Sequence, residues 1–260
     1  MTIRPGLCSV TFRALTPEAV IALAAENGVA AIEWGGDVHV PRGDLARARV
    51  VATACADAAI DACSYGSYVR AGEDGARSEF DTALATATAL GAGNIRVWAG
   101  RANRATAGDR AMATAAADLA YMADAAQARD ITVSVEYHRN SLTERVDDTL
   151  ALLGAAAARN LFTYWQPVPG RGLQQWQSEL AQLAPHLGDV HVFHWITSSG
   201  SERRRPLTEG AADWRALIAA WQSAPRWPHP RRAFLEFVRN DDPNQFQDDM
   251  AQLRTLCAAG

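Results

Sequence analysis

The stretch TVSVEYHRNSLTERVDDTLALLGAAAA, residues 132–158, contains the repeating unit of this chain. A short apolar segment, Thr132–Glu136, is followed by a polar loop and then by an alanine-rich segment, Glu144–Ala158. The first segment has the length and β-branched content of a buried strand, and the second has the length and apolar spacing of an amphipathic helix. The stretch therefore predicts one strand–loop–helix unit.

The same unit recurs along the chain. It predicts eight strands, at Gly6–Val10, Ala30–Trp34, Ile60–Ser64, Asn94–Trp98, Thr132–Glu136, Leu161–Trp165, Asp189–Phe193 and Ala233–Phe237. Eight helices are predicted at Pro17–Asn27, Leu45–Ala59, Ala76–Leu90, Asp109–Ala128, Glu144–Ala158, Leu173–Leu183, Trp214–Ser223 and Gln245–Ala258. Alternating units favour parallel strands with right-handed crossovers, so we predict an α/β fold, a single (β/α)₈ TIM barrel over residues 1–260.

An open doubly wound sheet is the competing fold. It usually has a glycine-rich phosphate-binding turn after its first strand. The first predicted strand here leads instead into SVTFR, residues 9–13. The longest irregular stretch, Thr197–Ala212, is predicted to be a mobile loop over the functional site.

The composition excludes several classes of protein. The net charge of −4 gives no reason to expect a nucleic-acid partner or an anionic membrane surface. The first residues do not resemble a signal peptide, and no apolar run approaches the ~18 residues of a membrane span. The four cysteines are scattered, as in a protein of a reducing compartment. We therefore expect a cytoplasmic protein that does not bind a membrane, and a homo-oligomer is compatible with the sequence.

Polar residues end the last four strands, where the chemistry of a parallel barrel is located. A carboxylate that ends an apolar strand is costly to bury unless it is paired or bound to a metal. Together, the oxygen and nitrogen donors at these four strand ends suit one divalent metal ion, Mn²⁺, Mg²⁺, Co²⁺ or Zn²⁺, with positions left for substrate oxygens. The proposed metal ligands are Glu136, Gln166, His191 and Glu236. One such glutamate alone is often a structural hydrogen-bond acceptor, but two of them with a strand histidine favour a metal site.

Six further side chains near strand ends are candidates for contact with a substrate: Trp34, Tyr65, Trp98, His138, His194 and Arg205. Aromatic rings commonly face sugars, although core packing is the alternative for each of them. His194 lies three positions after His191, so the two point to opposite sides of a regular strand. Arg205 ends a run of three arginines, which is either a solvated face or a site for an anion such as a sugar phosphate.

Several of these strand-end segments resemble those of the sugar phosphate isomerase/epimerase family, xylose isomerase-like TIM barrels that also include AP endonuclease family 2. The resemblance covers essentially the whole chain. The segments include CSVTF (8–12), AIEWGGDVHVP (31–41), RVWAG (96–100), VEYHRNSLT (135–143), YWQP (164–167), DVHVFHW (189–195) and FLEF (234–237). The resemblance places the metal on Glu136, His191 and Glu236, and it puts Gln166 where the family has an aspartate. An amide contributes no charge, so it implies weaker metal binding.

The resemblance also implies an activity. A small sugar or sugar phosphate would be isomerised or epimerised through an enediolate, with Glu136 and Glu236 as acid and base on its two faces. Two alternatives remain, a lyase similar to a keto-inositol dehydratase and an inactive barrel that binds a sugar. A DNA-repair enzyme similar to endonuclease IV is disfavoured, because its multi-metal cluster needs more His and Asp ligands than a chain with six histidines supplies.

Overall fold

The structure, a computed structural model, describes residues 3–198 and 200–258. Eight parallel strands close into a barrel, and the first strand pairs with the last. The barrel strands are β1 (Arg4–Cys8), β2 (Ala31–Gly35), β3 (Asp61–Ala71), β4 (Asn94–Ala99), β5 (Thr132–Glu136), β6 (Leu161–Trp165), β7 (Leu187–Val192) and β10 (Arg232–Leu235). A separate antiparallel hairpin consists of β8 (Trp195–Ser198) and β9 (Ser201–Arg204). The predicted TIM barrel is confirmed.

Eight helices surround the barrel. They are α1 (Pro17–Glu26), α2 (Leu45–Asp57), α3 (Ala76–Leu90), α4 (Arg104–Gln127), α5 (Val146–Ala156), α6 (Leu173–Leu183), α7 (Ala211–Ala220) and α8 (Pro243–Ala258). Local chemistry sets their ends. Thr16 caps α1 by accepting a hydrogen bond from the Ala19 amide, and Gly28, at φ +64°, turns the chain after it. None of the helices in residues 3–198 and 200–258 is long and apolar enough to cross a membrane.

The prediction of an irregular loop over Thr197–Ala212 is wrong in part, because the segment contains strand β9 and a 3-10 turn at Leu207–Gly210. Its polar composition concealed the strand, which alternates between exposed and half-buried residues. Glu202 and Arg204 form ion pairs with Arg139 and with Asp241, on two different loops. These pairs fix the hairpin over the end of the barrel. Ser199, within the predicted loop, lies outside the described residues.

Strand β3 is longer than predicted, since it continues beyond Ser64 to Ala71. Its register with β4 shifts between Gly66 and Arg70, and within this bulge Tyr68 has a φ of +59°. A bulge re-aims side chains at the rim of a barrel. Strand β3 therefore extends past its predicted end, and the bulge changes the direction of the Tyr68 side chain.

Candidate active site

Seven buried side chains meet at the C-terminal ends of the barrel strands, and we call them the mouth cluster. Seven of the eight barrel strands each contribute one of them, from the strand itself or from the residue directly after it, and β3 contributes none. The members are Cys8, Glu33, Arg96, Glu136, Gln166, His191 and Glu236, all at most 6% exposed. The cluster contains every predicted metal ligand, together with Cys8, Glu33 and Arg96, which the sequence analysis did not select.

Arg96 connects two carboxylates of the mouth cluster. Its Nε donates to Glu33 Oε1 at 2.8 Å, and its Nη1 donates to Glu136 Oε2. Gly66 makes room for the guanidinium, because a Cβ at that position would lie 2.7 Å from Arg96 Nη2. Burial alone would raise the pKa of each carboxyl, but the Arg96 guanidinium and the His191 imidazole together hold the pKa of both well below the usual value. Both carboxylates are therefore ionised near neutral pH.

His191 lies between three carboxylates without a hydrogen bond to any of them. Its Nε2 is 3.3 Å from Glu33 Oε1, and its Nδ1 is 3.6 Å from oxygens of both Glu136 and Glu236. Both ring nitrogens are buried and unpartnered within the described residues. Burial would lower the pKa of the imidazole, but the charges of Glu236 and Glu33 raise it to about 10. Without another cation, the ring holds a proton.

Glu136 and Glu236 both approach His191 Nδ1, so carboxylate and imidazole donors for a divalent cation lie on one side of the ring. Two donors about 2.1 Å from one ion are roughly 3.0–3.4 Å apart, close to the 3.6 Å between His191 Nδ1 and each carboxylate. With a neutral imidazole, the three carboxylates outweigh the Arg96 guanidinium by two charges, which one divalent ion balances. Within the described residues, the group whose donor atoms all lie within 4.8 Å of one another is Cys8, Glu33 and His191, so it differs from the predicted set in two of its three members.

Gln166 contacts the cluster through its amide nitrogen. Its Nε2 donates to Glu136 Oε1 at 3.1 Å, so its oxygen is not the atom aimed at that carboxylate. Through this bond Gln166 holds Glu136 in position. Its role as a fourth metal ligand stays a prediction.

A cavity of about 250 Å³ opens above the mouth cluster. Its floor carries both candidate acid/base glutamates, and its walls are largely aromatic. This volume is just below the range of roughly 300–1,000 Å³ for small-molecule sites, so it suits a single small ligand. The residues that line it are Arg13, Tyr68, Arg96, Trp98, Glu136, His138, Arg139, Gln166, Pro167, Val168, Pro169, Phe193, Trp195, Glu236 and Phe237.

Two of the six predicted substrate contacts line this cavity. Trp98 and His138 lie against each other, with ring centroids 4.3 Å apart. His138 Nδ1 is 2.5 Å from the Arg139 carbonyl, so Nδ1 carries the proton and Nε2 is left as an acceptor. Burial lowers the pKa of the His138 imidazole, although the charge of Glu136 opposes the shift. His138 is therefore a neutral proton acceptor in the cavity wall.

The other four predicted substrate contacts lie outside this cavity, and core packing or an ion pair explains the position of each. Trp34 and Tyr65 are fully buried behind the sheet, where Trp34 faces His39 and the Tyr65 hydroxyl donates to the Val40 carbonyl. His194 follows the end of β7 and its ring lies against Gly210. Arg205 pairs with Glu209 on the surface. None of the four lines the 250 Å³ cavity.

Glu33 and Arg96 are the main omissions of the sequence analysis. Glu33 follows an apolar β2 segment just as Glu136 follows an apolar β5 segment, so the rule used for Glu136 also selects Glu33. Arg96 has a weaker signal, because an arginine between Ile95 and Val97 on a buried strand needs a partner that the sequence does not identify.

The comparisons with known proteins agree with the fold. A family model described as the xylose isomerase-like TIM barrel matches residues 21–256. No curated protein matches the chain. Among solved structures, the probable 3-DHS dehydratase AsbF of Bacillus anthracis aligns with a TM-score of 0.79 at 18% identity, over 97% of this chain and 99% of that one.

Two further structures align over almost their full lengths. D-allulose 3-epimerase from Methylomonas sp. has a TM-score of 0.71 at 15% identity, with 98% of each chain covered. A xylose isomerase-like TIM barrel protein from Mycobacterium smegmatis, in complex with magnesium, has a TM-score of 0.69 at 12% identity, over 98% of this chain and 97% of that one. Identities this low establish the fold and no more. With the match of the family model to most of its length, the chain belongs to the xylose isomerase-like TIM barrel family.

Proposed function

We propose that this protein isomerises or epimerises a small neutral sugar by moving a proton at a carbon next to the carbonyl. The observation that carries the proposal is the convergence of Glu136 and Glu236 on the unpartnered His191, at the floor of a cavity of about 250 Å³. The sugar epimerases among the structures of this fold support it. A divalent metal ion held by these residues would polarise the carbonyl and stabilise negative charge on its oxygen.

The two glutamates are not equivalent. Glu136 accepts hydrogen bonds from Arg96 and Gln166, which stabilise its ionised form. Among the described residues, Glu236 has only the weak Cys8 thiol as a hydrogen-bond donor, 3.9 Å from its Oε1. Burial raises the pKa of Glu236, and the nearby Glu136 charge adds to the rise although His191 opposes it. We therefore assign the main base to Glu236, since a carboxylate with a higher pKa accepts a proton more readily.

The cavity favours a neutral substrate over a phosphorylated one. Each of its three arginines already has a carboxylate partner. Arg13 pairs with Asp37, Arg139 pairs with Glu202, and Arg96 pairs with two glutamates. The arginine run of the sequence does not form one anion site either, because Arg203 is exposed while Arg204 pairs with Asp241. A phosphate group would have to displace a carboxylate from one of these guanidinium groups.

Loss of water from a ketone is the second candidate reaction. The observation that favours it is His138, a third proton-transfer group on the cavity wall. Its Nε2 can accept the proton taken from carbon and then pass that proton to the leaving hydroxyl, which departs as water. The alignment with the 3-DHS dehydratase is consistent with this reaction. Both reactions begin by removing the same kind of proton, and their products differ.

Proton exchange with solvent tests the proposal. Ketoses, including D-fructose and D-allulose, would be incubated with the protein and Mn²⁺ in D₂O, and NMR would locate deuterium next to the carbonyl. We expect exchange for at least one ketose, slowed about 10²–10⁴-fold by Glu236→Gln. Glu79→Gln, on the exposed side of α3, is the matched control and should exchange normally. An epimer among the products supports the first candidate, and a dehydrated product supports the second.

No exchange across the ketose panel by a metal-loaded protein that binds one of these sugars would contradict the proposal. That result would favour an inactive sugar-binding barrel. A metal-dependent nick in abasic DNA would instead favour a nuclease. We do not expect one, because only His138 and His191 of the six histidines are in the cavity wall or the mouth cluster.

A further inference from the structure

Tyr68 occupies an unusual backbone position beside the cavity. It lies in the bulge of β3 with a φ of +59°, a region that bulky residues rarely adopt. Ser67 braces the bulge, since its hydroxyl donates to the Arg96 carbonyl at 2.8 Å and accepts from the Val69 amide. As a result, the Tyr68 ring lines the cavity while its neighbour Val69 is fully buried.

The Tyr68 hydroxyl is held by a chain of two further side chains. Arg13 Nη2 donates to Tyr68 Oη at 3.0 Å, and Arg13 Nη1 is 2.5 Å from Asp37 Oδ2. Asp37 follows β2, Arg13 follows β1, and Tyr68 lies within β3. These hydrogen bonds therefore link three neighbouring segments at the rim. Arg13 itself lines the cavity beside Tyr68.

The direction of these bonds leaves one hydrogen available. A guanidinium only donates, so Tyr68 Oη is the acceptor in its contact with Arg13. Within residues 3–198 and 200–258, no side chain or carbonyl accepts a hydrogen bond from the Tyr68 hydroxyl. Burial raises the pKa of Tyr68, so the phenol remains protonated near neutral pH. An O–H with a fixed oxygen and no acceptor on the protein can donate into the cavity.

We propose that Tyr68 is a specificity-determining residue that donates a hydrogen bond to one oxygen of the sugar, and that Arg13 and Asp37 are its positioning residues. This rests on the proposed function for the substrate class. The Tyr68 ring lies 5.7 Å from the Arg96 guanidinium carbon, so the donor is beside the mouth cluster rather than at a remote rim. A sugar lying over Glu136 and Glu236 would present a hydroxyl or carbonyl oxygen to it.

A cycle of protein and ligand variants tests this assignment. Binding of D-fructose and of its series of monodeoxy derivatives would be measured by calorimetry with Mg²⁺ present. Tyr68→Phe should weaken D-fructose binding by about tenfold, the effect of one good hydrogen bond. One monodeoxy derivative should bind the wild-type protein equally weakly, and it should lose nothing further with Tyr68→Phe. Arg13→Met should weaken binding in the same direction by about threefold.

Matched controls separate this role from a merely structural one. Tyr121→Phe removes a hydroxyl that bonds Asp81 on the outside of the barrel, and Arg42→Met removes an exposed pair with Glu79. Neither should change the Kd. If Tyr68→Phe does not fold, Arg13→Met still tests the donor, because it leaves the β3 bulge untouched.

Several results would overturn the proposal. They are an unchanged Kd for a folded Tyr68→Phe, equal losses with every derivative, or no binding of D-fructose and D-allulose by the wild-type protein. The outcome is independent of the exchange chemistry. Selective loss of affinity without any deuterium exchange would refute the proposed reaction and leave the donor role standing.

Discussion

The barrel interior contains two buried polar clusters that differ in how completely their hydrogen bonds are formed. The mouth cluster has three converging carboxylates and an imidazole with two unpartnered nitrogens. Nearer the N-terminal ends of the strands lies a second group, which we call the inner cluster: Ser64, Asn94, Ser134, Tyr164 and Asp189. There, Asn94 Nδ2 donates to Ser64 and Tyr164, while Asn94 Oδ1 accepts from Thr132 and Ser134.

The difference shows which end of the barrel is prepared for a ligand. Asp189, in the inner cluster, accepts from the Arg232 amide at 2.7 Å and from the Tyr164 hydroxyl at 3.2 Å. A saturated buried cluster stabilises one packing arrangement, whereas unpartnered buried groups are costly unless something binds them. Ser64 connects the two clusters by donating to Glu33 Oε2 at 2.9 Å. The cluster with complete hydrogen bonding and the cluster with unpartnered groups are thus separated along one barrel axis.

The largest expected effect is on metal binding. His191→Ala removes the imidazole nitrogen that lies 3.6 Å from both Glu136 and Glu236, so the affinity for Mn²⁺ should fall by at least about 100-fold, more than the loss of a supporting residue would cause. Elemental analysis after dialysis against Mn²⁺ should give about one ion per wild-type chain and almost none per variant. Asn94→Ala, in the inner cluster, should retain the metal. Equal metal stoichiometry in wild type and His191→Ala would show that the mouth cluster does not bind the metal through His191.

The inner cluster should matter most for stability. Asn94→Ala leaves several buried partners unsatisfied at once and should lower the free energy of unfolding by about 3 kcal/mol. Denaturant titration of the metal-free protein would measure it. Asn103→Ala, which removes a helix-capping side chain on the surface of α4, should cost only about 1 kcal/mol and calibrates the scale. A cost for Asn94→Ala no larger than that of the cap would show that the inner cluster is not a stabilising network.

The His191 imidazole of the mouth cluster should also make the stability of the metal-free protein depend on pH. In the metal-free protein, the pKa of His191 is about 10, above its ordinary value of 6.5. The folded state therefore holds this proton more tightly, and the resulting stability is complete below about pH 6.5 and is lost as the pH rises through 10. Between pH 7 and 9 the free energy of unfolding should fall by about 2 kcal/mol. Thermal melting in a chelator would show it, and His191→Gln should flatten the slope.

The smallest expected effect concerns Gln166. Gln166→Asp adds a negative charge beside the proposed metal site and should tighten Mn²⁺ binding by about tenfold, if the carboxylate replaces the amide as a ligand. Competition with a chelator of known affinity would measure the change. The exposed Gln182→Asp serves as the control for added charge. Weaker binding in Gln166→Asp would show that the amide serves only to hold Glu136, as its hydrogen bond indicates.

Strand-scale features follow from the sequence alone. Thr132–Glu136, Leu161–Trp165, Ala76–Leu90 and Leu173–Leu183 were predicted with the observed bounds. Local propensity and apolar spacing suffice there, because each segment is bounded by turn residues and buried as a unit. The position of Glu136 at the end of an apolar strand, and of His191 within another, placed both at the C-terminal end of a barrel.

Other features depended on contacts between residues far apart in the chain. The sequence could not show which face of its strand carries Trp34 or Tyr65, because alternation sets only neighbouring side chains on opposite faces. In the closed barrel, Glu33 and Ser64 meet in a hydrogen bond inside it, so Trp34 and Tyr65 turn outward. Nor could the sequence pair Arg96 with Glu33 and Glu136, which lie 63 and 40 positions away. The local pattern determined which residues stand at the strand ends. Only barrel closure decided which of them face one another, because distance and charge pairing are properties of the assembled sheet.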